Sequence, residues 1–218
     1  MPLPSALWPS SASRTSPDSM ARLFIVRHGN TFDKGDTVTR VGARTDLPLS
    51  ISGREQARHL ADRFADIRFS AALCSVLIRT RQTARAILSQ RTDNPALLIA
   101  PFLTEIDYGP DEKQPEETVA ARLGPALEAW DRDGTPPPDW TVDVAAIRAG
   151  WSGLLTRAAA LSEDAAALIV TSNGIARFLP DVVDKAPEGL DRKLKTGAWG
   201  ELTVSRSVSE ILNWNQRP

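Results

Sequence analysis

Four apolar residues, Leu23, Phe24, Ile25 and Val26, run directly into Arg27, His28, Gly29, Asn30 and Thr31. An arginine offers a planar fork of donors that matches a phosphoryl group, and an imidazole with one free nitrogen is a nucleophile. Nearby cations depress a histidine's pKa and keep that nitrogen free near neutral pH. Gly29 lets the backbone come close to a ligand. Three further polar groups follow short apolar runs: Arg79 after "CSVL", Glu105 after "PFLT", and Thr171, Ser172, Asn173 and Gly174 after "LIV". A second arginine completes an anion clamp, and a carboxylic acid can protonate a departing alkoxide. Together these groups fit phosphoryl transfer through a phosphohistidine. The arginines carry the charge stabilisation, so the chemistry calls for no metal or other cofactor. With two histidines in the chain, no Cys/His cluster with metal-ligand spacing is found.

The elements that must position these groups alternate between strand and helix. "RLFIV" (22–26), "FSAALCS" (69–75), "ALLIA" (96–100) and "AALIVT" (166–171) read as short strands, the first buried on both faces. "SISGREQARHLADRF" reads as a helix with Ala57, Leu60, Ala61 and Phe64 on one face, and with Ser52 and Glu55 as a capping box. "LIRTRQTARAIL" (77–88) is a second helix, with Ala84, Ile87 and Leu88 on its apolar side. Val119, Leu123, Leu127 and Trp130 recur at helical spacing, as do Val144, Ile147, Trp151, Leu154, Leu155 and Ala158. "GIARFLPDVV" reads as a helix opening with glycine, and "ELTVS" and "SEILNW" as late or edge strands. The alternation predicts an α/β layered fold with a mainly parallel sheet. In such sheets ligands sit beyond the carboxyl ends of the strands, where the polar groups stand.

Plainer readings compete at several positions. "SNG" (172–174) equally suits a turn with Ser172 or Asn173 as N-cap. Arg81 and Arg85 read as a solvated face, His59 as a surface histidine, and the aromatics as core. Arg40, Arg44 and Thr45 are candidates for a pocket rim. The Lys-Thr-Gly at 195–197 either faces the site or forms a plain turn.

A chain of 218 residues is long enough for one large core, with 42% hydrophobic and 24% charged residues. A formal net charge of −1 provides no global field for nucleic acid or membrane. The single cysteine, Cys74, rules out an internal disulfide and suits a reducing, cytoplasmic compartment. No apolar run approaches the ~20 residues that span a bilayer. Residues 1–19, rich in Ser and Pro, read as a disordered leader, with Met20 as the natural start and one domain from 20 to 218.

Four motifs then carry a resemblance from about Arg22 to Asn173. "LFIVRHGNT" resembles the opening strand and R-H-G-x-T signature of the histidine phosphatase superfamily, the phosphoglycerate mutase-like family. "TDLPLSISGREQARHLADRF", "CSVLIRTRQTA" and "LTEIDYG" resemble that family's next three segments in order. The resemblance implies a three-layer α/β/α sandwich. It implies that His28 is the nucleophile that becomes phosphorylated and that Arg27 and Arg79 clamp the phosphoryl oxygens. Glu105 would donate a proton to the leaving group and later act as base for water. Asn30 and Thr31 would line the pocket.

Two departures stand out. The family's last strand usually ends in a second histidine that binds the phosphoryl group in the transition state; here Ser172 takes that place, and Asn173 offers an amide beside it. Losing one donor of an electrostatic site costs ~10²–10³ in rate. After "LTEIDYG" the family often continues with Trp and an acidic-Gly pair, whereas this chain reads "PDEKQPEE". The expected function is a metal-independent phosphatase for a small phosphorylated metabolite, slowed by Ser172. The alternatives are a phosphate-binding or interaction module and a mutase-type phosphotransferase. Substrate identity and oligomeric state are not legible.

Overall fold

The computed structural model describes residues 20–89, 91–92, 95–161 and 165–218. The expected leader, 1–19, lies outside them. Strand β1 (Ala21–Arg27) is followed by helix α1 (Ile51–Arg63), β2 (Phe69–Cys74), α2 (Ile78–Leu88) and β3 (Leu97–Ile99). Helices α3 (Glu116–Leu123), α4 (Pro125–Asp133) and α5 (Val144–Ala158) come next. The chain returns through β4 (Ala166–Thr171), the one-turn α6 (Asn173–Ala176), β5 (Trp199–Val204) and β6 (Ser209–Gln216).

The six strands form one sheet in the order β3-β2-β4-β1-β5-β6. The first four are mutually parallel; β5 pairs antiparallel with β1, and β6 antiparallel with β5. Alternation along β1 explains the layering. Leu23 and Ile25 join Trp151 and Leu154 of α5 on one face, while Phe24 and Val26 join Leu60, Phe64, Ala84 and Ile87 of the α1–α2 side on the other. Both faces of the strand are therefore dry, which gives the expected three layers. Each of these large side chains contributes about 1.5–3 kcal/mol by leaving water.

Several local expectations are revised. Ser50, not Ser52, caps α1: its hydroxyl accepts from Gly53 N at 3.1 Å. The Asp33 carboxylate accepts from Ile51 N and Ser52 N at 3.0 and 2.9 Å, so the chain enters the helix two residues early. Ser52 is left to accept from Asn30 Nδ2, and Glu55 is exposed. The stripe from Val119 to Trp130 is split between α3 and α4. Gly124 turns with φ +47°, and Pro125 has no N–H to continue the ladder. The helix expected from Gly174 stops after one turn, and Pro180 sits in a 3-10 turn over Leu179–Asp181. Strand β5 is interior, between β1 and β6.

Candidate active site

Parallel pairing of β1 with β4 sets Arg27 opposite Thr171. His28 N donates to Thr171 O at 3.1 Å, so His28 and Ser172 leave adjacent strand ends. The first turn of α1 packs directly on this loop. A Cβ on Gly29 would stand 2.4 Å from Gly53 O, and one on Gly53 would stand 2.0 Å from Asn30 O. Only paired glycines allow that approach.

The His28 ring is buried, and its Nδ1 lies 2.8 Å from Gly29 O. A carbonyl only accepts, so Nδ1 carries the hydrogen and Nε2 keeps its lone pair. Arg79 Nε donates to that Nε2 at 3.2 Å. Burial, then Arg79, then Arg27 hold the His28 pKa well below 6.5, against a smaller opposing effect of Gly29 O.

Arg79 stands in the first turn of α2, fully buried. Its Nη1 donates to Thr45 O at 2.9 Å and its Nη2 to Gly42 O at 3.3 Å. The Gly42–Thr45 loop is in turn held by Glu112. Both Glu112 carboxylate oxygens accept from Arg44 N at 3.1 Å, and Oε2 accepts from Thr45 Oγ1 at 2.6 Å. Of the three residues expected at the rim, Thr45 is buried, and Arg40 pairs with Glu116 and stacks on Tyr108 and Trp140. Arg44 is the exposed one, bonded to Asp107. An open cleft of about 450 Å³ lies here, lined by Arg44, Gly109, Pro110, Glu112 and Lys113.

Glu105 is buried, with Oε1 accepting from Ile106 N at 3.0 Å and Oε2 from Gly174 N at 3.3 Å. A Cβ on residue 174 would stand 2.1 Å from Oε1. Burial depresses the pKa of both Arg27 and Arg79, and Glu105 is the largest influence raising it back in each. Arg27 Nη1 donates to Leu194 O at 2.9 Å, while its buried Nε has no hydrogen bond. Ser172 is fully buried, and its hydroxyl also has none. Asn173 Oδ1 accepts from Leu194 N at 2.8 Å.

Asn30 is engaged at both ends: Nδ2 donates to Ser52 Oγ at 3.1 Å, and Oδ1 accepts from Thr196 Oγ1 at 2.5 Å. Thr31 follows, half-buried. Gly197 N donates to His28 O at 3.1 Å, so the Lys-Thr-Gly segment faces the site. Arg27, His28, Arg79, Glu105, Ser172 and Asn173 thus form one connected cluster. Arg85 and His59 are exposed. Sequence reasoning missed Glu112, Leu194 and the buried Arg177 and Tyr108, because nothing in their local pattern marks a strand end. Among the described residues no set of three or more His, Cys, Asp or Glu could hold a metal, and no helix is long and apolar enough to cross a membrane.

The family model described as histidine phosphatase superfamily (branch 1) matches residues 23–217. Fructose-2,6-bisphosphatase TIGAR B of Danio rerio is 33% identical over 123 residues, 56% of this chain and 47% of that protein. Adenosylcobalamin/alpha-ribazole phosphatase of Escherichia coli is 33% identical over 112 residues, 51% of this chain and 53% of that protein. The matched part spans about half the length of these relatives. The crystal structure of phosphoglycerate mutase from Bacillus anthracis shares the fold with a TM-score of 0.76 at 19% identity, covering 92% of this chain and 95% of that one.

Proposed function

The chain belongs to the histidine phosphatase superfamily, and from this we propose that it hydrolyses a small phosphomonoester through a phosphohistidine on His28. The observation that carries the reading is the free Nε2 lone pair of a buried, neutral imidazole, faced by the Arg79 guanidinium at 3.2 Å. An incoming phosphoryl group takes the Arg79 donor away from Nε2, and the lone pair attacks phosphorus. Arg27 and Arg79 take up the charge on the equatorial oxygens. As the phosphorus–oxygen bond to the alcohol breaks, Glu105 gives its proton to the leaving oxygen. Water then attacks the phosphohistidine, Glu105 takes a proton from it, and phosphate leaves with Nε2 restored. The rest of the ester occupies the cleft beside Arg44 and Lys113. Asn30 positions Thr31 and the loop more than it lines the pocket, since both ends of its amide are engaged.

The test is hydrolysis of p-nitrophenyl phosphate with and without a chelator, with quenching in alkaline denaturant to trap phosphate on the protein. Expected are chelator-insensitive turnover and an acid-labile adduct, both lost in His28→Ala. Equal hydrolysis by that variant overturns the reading. A second reading rests on the unpartnered Ser172 hydroxyl: a module that binds phosphate esters without turning them over. Measurable ester binding with no adduct in the wild type selects it. Transfer of the trapped phosphoryl group to an added alcohol, in preference to water, selects a mutase.

A further inference from the structure

Arg27 is held in the candidate site by a single tie. Its Nη1 donates to Leu194 O at 2.9 Å, and among the described residues this is the one hydrogen bond of the guanidinium; the buried Nε makes none. A planar fork tied at one corner follows the group that ties it. Where its other donors meet a ligand is therefore set by where the Leu194 carbonyl stands.

Two asparagines hold that carbonyl from either side. Leu194 N donates to Asn173 Oδ1 at 2.8 Å. Lys195 N, which shares one rigid peptide plane with Leu194 O, donates to Asn215 Oδ1 at 2.9 Å. In a trans peptide the N–H and C=O point opposite ways, so a Lys195 N–H held by Asn215 turns Leu194 O toward Arg27. The Leu194 side chain is fully buried in the main core and anchors the same residue.

The backbone at Asn215 fits this task. Between the Trp199–Gln216 and Glu201–Asn213 pairs, β6 has one residue more than β5, which is a β-bulge. Asn215 lies in that bulge with φ +57°, a left-handed conformation that glycine adopts freely and asparagine tolerates. Bulges re-aim side chains, and this one brings the Asn215 amide to Lys195 N. Backbone relief alone favours glycine at this position. The bond to Lys195 is what the asparagine adds.

We propose that Asn215, with Asn173 opposite it, is a positioning residue that fixes Leu194 O and through it aims Arg27 at the phosphoryl group. The inference rests on the phosphoryl-transfer reading above. Its competitor is a purely structural role, in which the two asparagines close a loop and a bulge while Arg27 finds its place without them.

The experiment uses the full chain with Asn215→Gly, Asn215→Asp, Asn173→Ala, Arg27→Met and Asn215→Gly/Arg27→Met. Turnover of p-nitrophenyl phosphate is resolved into kcat and KM, orthovanadate binding is measured by calorimetry, and thermal midpoints are recorded. Glycine keeps the left-handed backbone and removes only the amide, so the midpoint of Asn215→Gly is expected to stay close to that of the wild type. Its kcat/KM is expected to fall about 10–100-fold and its orthovanadate affinity about tenfold, in the range of misplacing a binding group by an ångström. Asn173→Ala is expected to change both in the same direction. Asn215→Asp keeps an acceptor oxygen and tolerates the same backbone, so it is expected to recover most of the loss. In the Arg27→Met background Asn215→Gly is expected to cost nothing further. Wild-type kcat/KM and orthovanadate affinity in Asn215→Gly overturn the proposal. So does a loss by the same factor with Arg27 present and absent, or a loss in Asn215→Asp equal to that in Asn215→Gly. If Asn215→Gly does not fold, Asn173→Ala takes its place in both backgrounds under the same criteria. If the wild type forms no adduct and hydrolyses nothing, the phosphatase reading fails. Orthovanadate affinity then still decides the bracket: weaker binding by Asn215→Gly than by the wild type supports it, and equal binding overturns it.

Discussion

Arg79 Nε and His28 Nε2 stand 3.2 Å apart, with the guanidinium donating and the imidazole accepting. The contact does two things at once. It selects the tautomer whose lone pair lies on Nε2, and it places a cation where proton uptake by that nitrogen is most penalised.

This relationship fixes a pH dependence. Burial, Arg79 and Arg27 hold His28 well below its ordinary value of 6.5, so it stays neutral as pH falls through that value. Measured between about pH 5 and 8, kcat/KM should show no loss at 6.5 from His28 protonation. Stability behaves differently. The unfolded chain takes a proton near 6.5 and the folded chain does not, so the contribution of a neutral His28 is present above 6.5 and lost as pH falls toward the folded value. Thermal midpoints of His28→Asn should vary less across that window than those of the wild type.

Gly174→Ala should impair the acid. The new Cβ meets Glu105 Oε1 at 2.1 Å, so the carboxyl group must swing away from the leaving oxygen. A fall in kcat of about 10²–10⁴ is expected for alkyl phosphates. For p-nitrophenyl phosphate, whose leaving group needs little protonation, the loss should be much smaller. Equal losses for the two substrates would show that Glu105 is not the proton donor.

Glu112→Ala removes the carboxylate that accepts from Arg44 N and Thr45 Oγ1. The loop carbonyls of Gly42 and Thr45 that aim Arg79 then loosen. Stability should drop by about 1–3 kcal/mol from the unpaired buried groups, read by urea unfolding. A fall in kcat/KM of tenfold or more should accompany it, since a misplaced clamp is costly. Unchanged kinetics in a destabilised variant would limit Glu112 to a structural role.

Two glycines should respond oppositely to alanine. At Gly53 the Cβ would stand 2.0 Å from Asn30 O, so α1 and the His28 loop must part, at a cost of about 1–3 kcal/mol. At Gly153, within α5, nothing lies within 4 Å, and alanine should stabilise by about 0.5–1 kcal/mol. Denaturant midpoints of the two variants check both signs.

Much of the fold was legible because its signals are local. The double-sided burial of β1 shows as an unbroken apolar run, and the boundaries of β4 follow from "AALIVT" alone. The helical faces of α1 and α2 follow from spacing. Errors gathered where local patterns compete, as at Ser50 against Ser52, where Asp33, 18 residues upstream of Ile51, decided the start of the helix. The split at Gly124–Pro125 carried a local signal that the apolar stripe overrode.

The residues of the candidate site divide in the same way. Sequence by itself determined that Arg27 and His28 end a buried strand, that Arg79 opens a helix, and that serine stands at 172. Only the tertiary structure decided what surrounds them. Thr196 reaches Asn30 across 166 residues of sequence, Leu194 reaches Arg27 across 167, and Glu112 holds the loop that aims Arg79. Such contacts leave no period or spacing in the chain, because they depend on which strands lie side by side. The same holds for Arg177. Its burial beside Trp130 exists only once α4 has packed against the turn that follows β4.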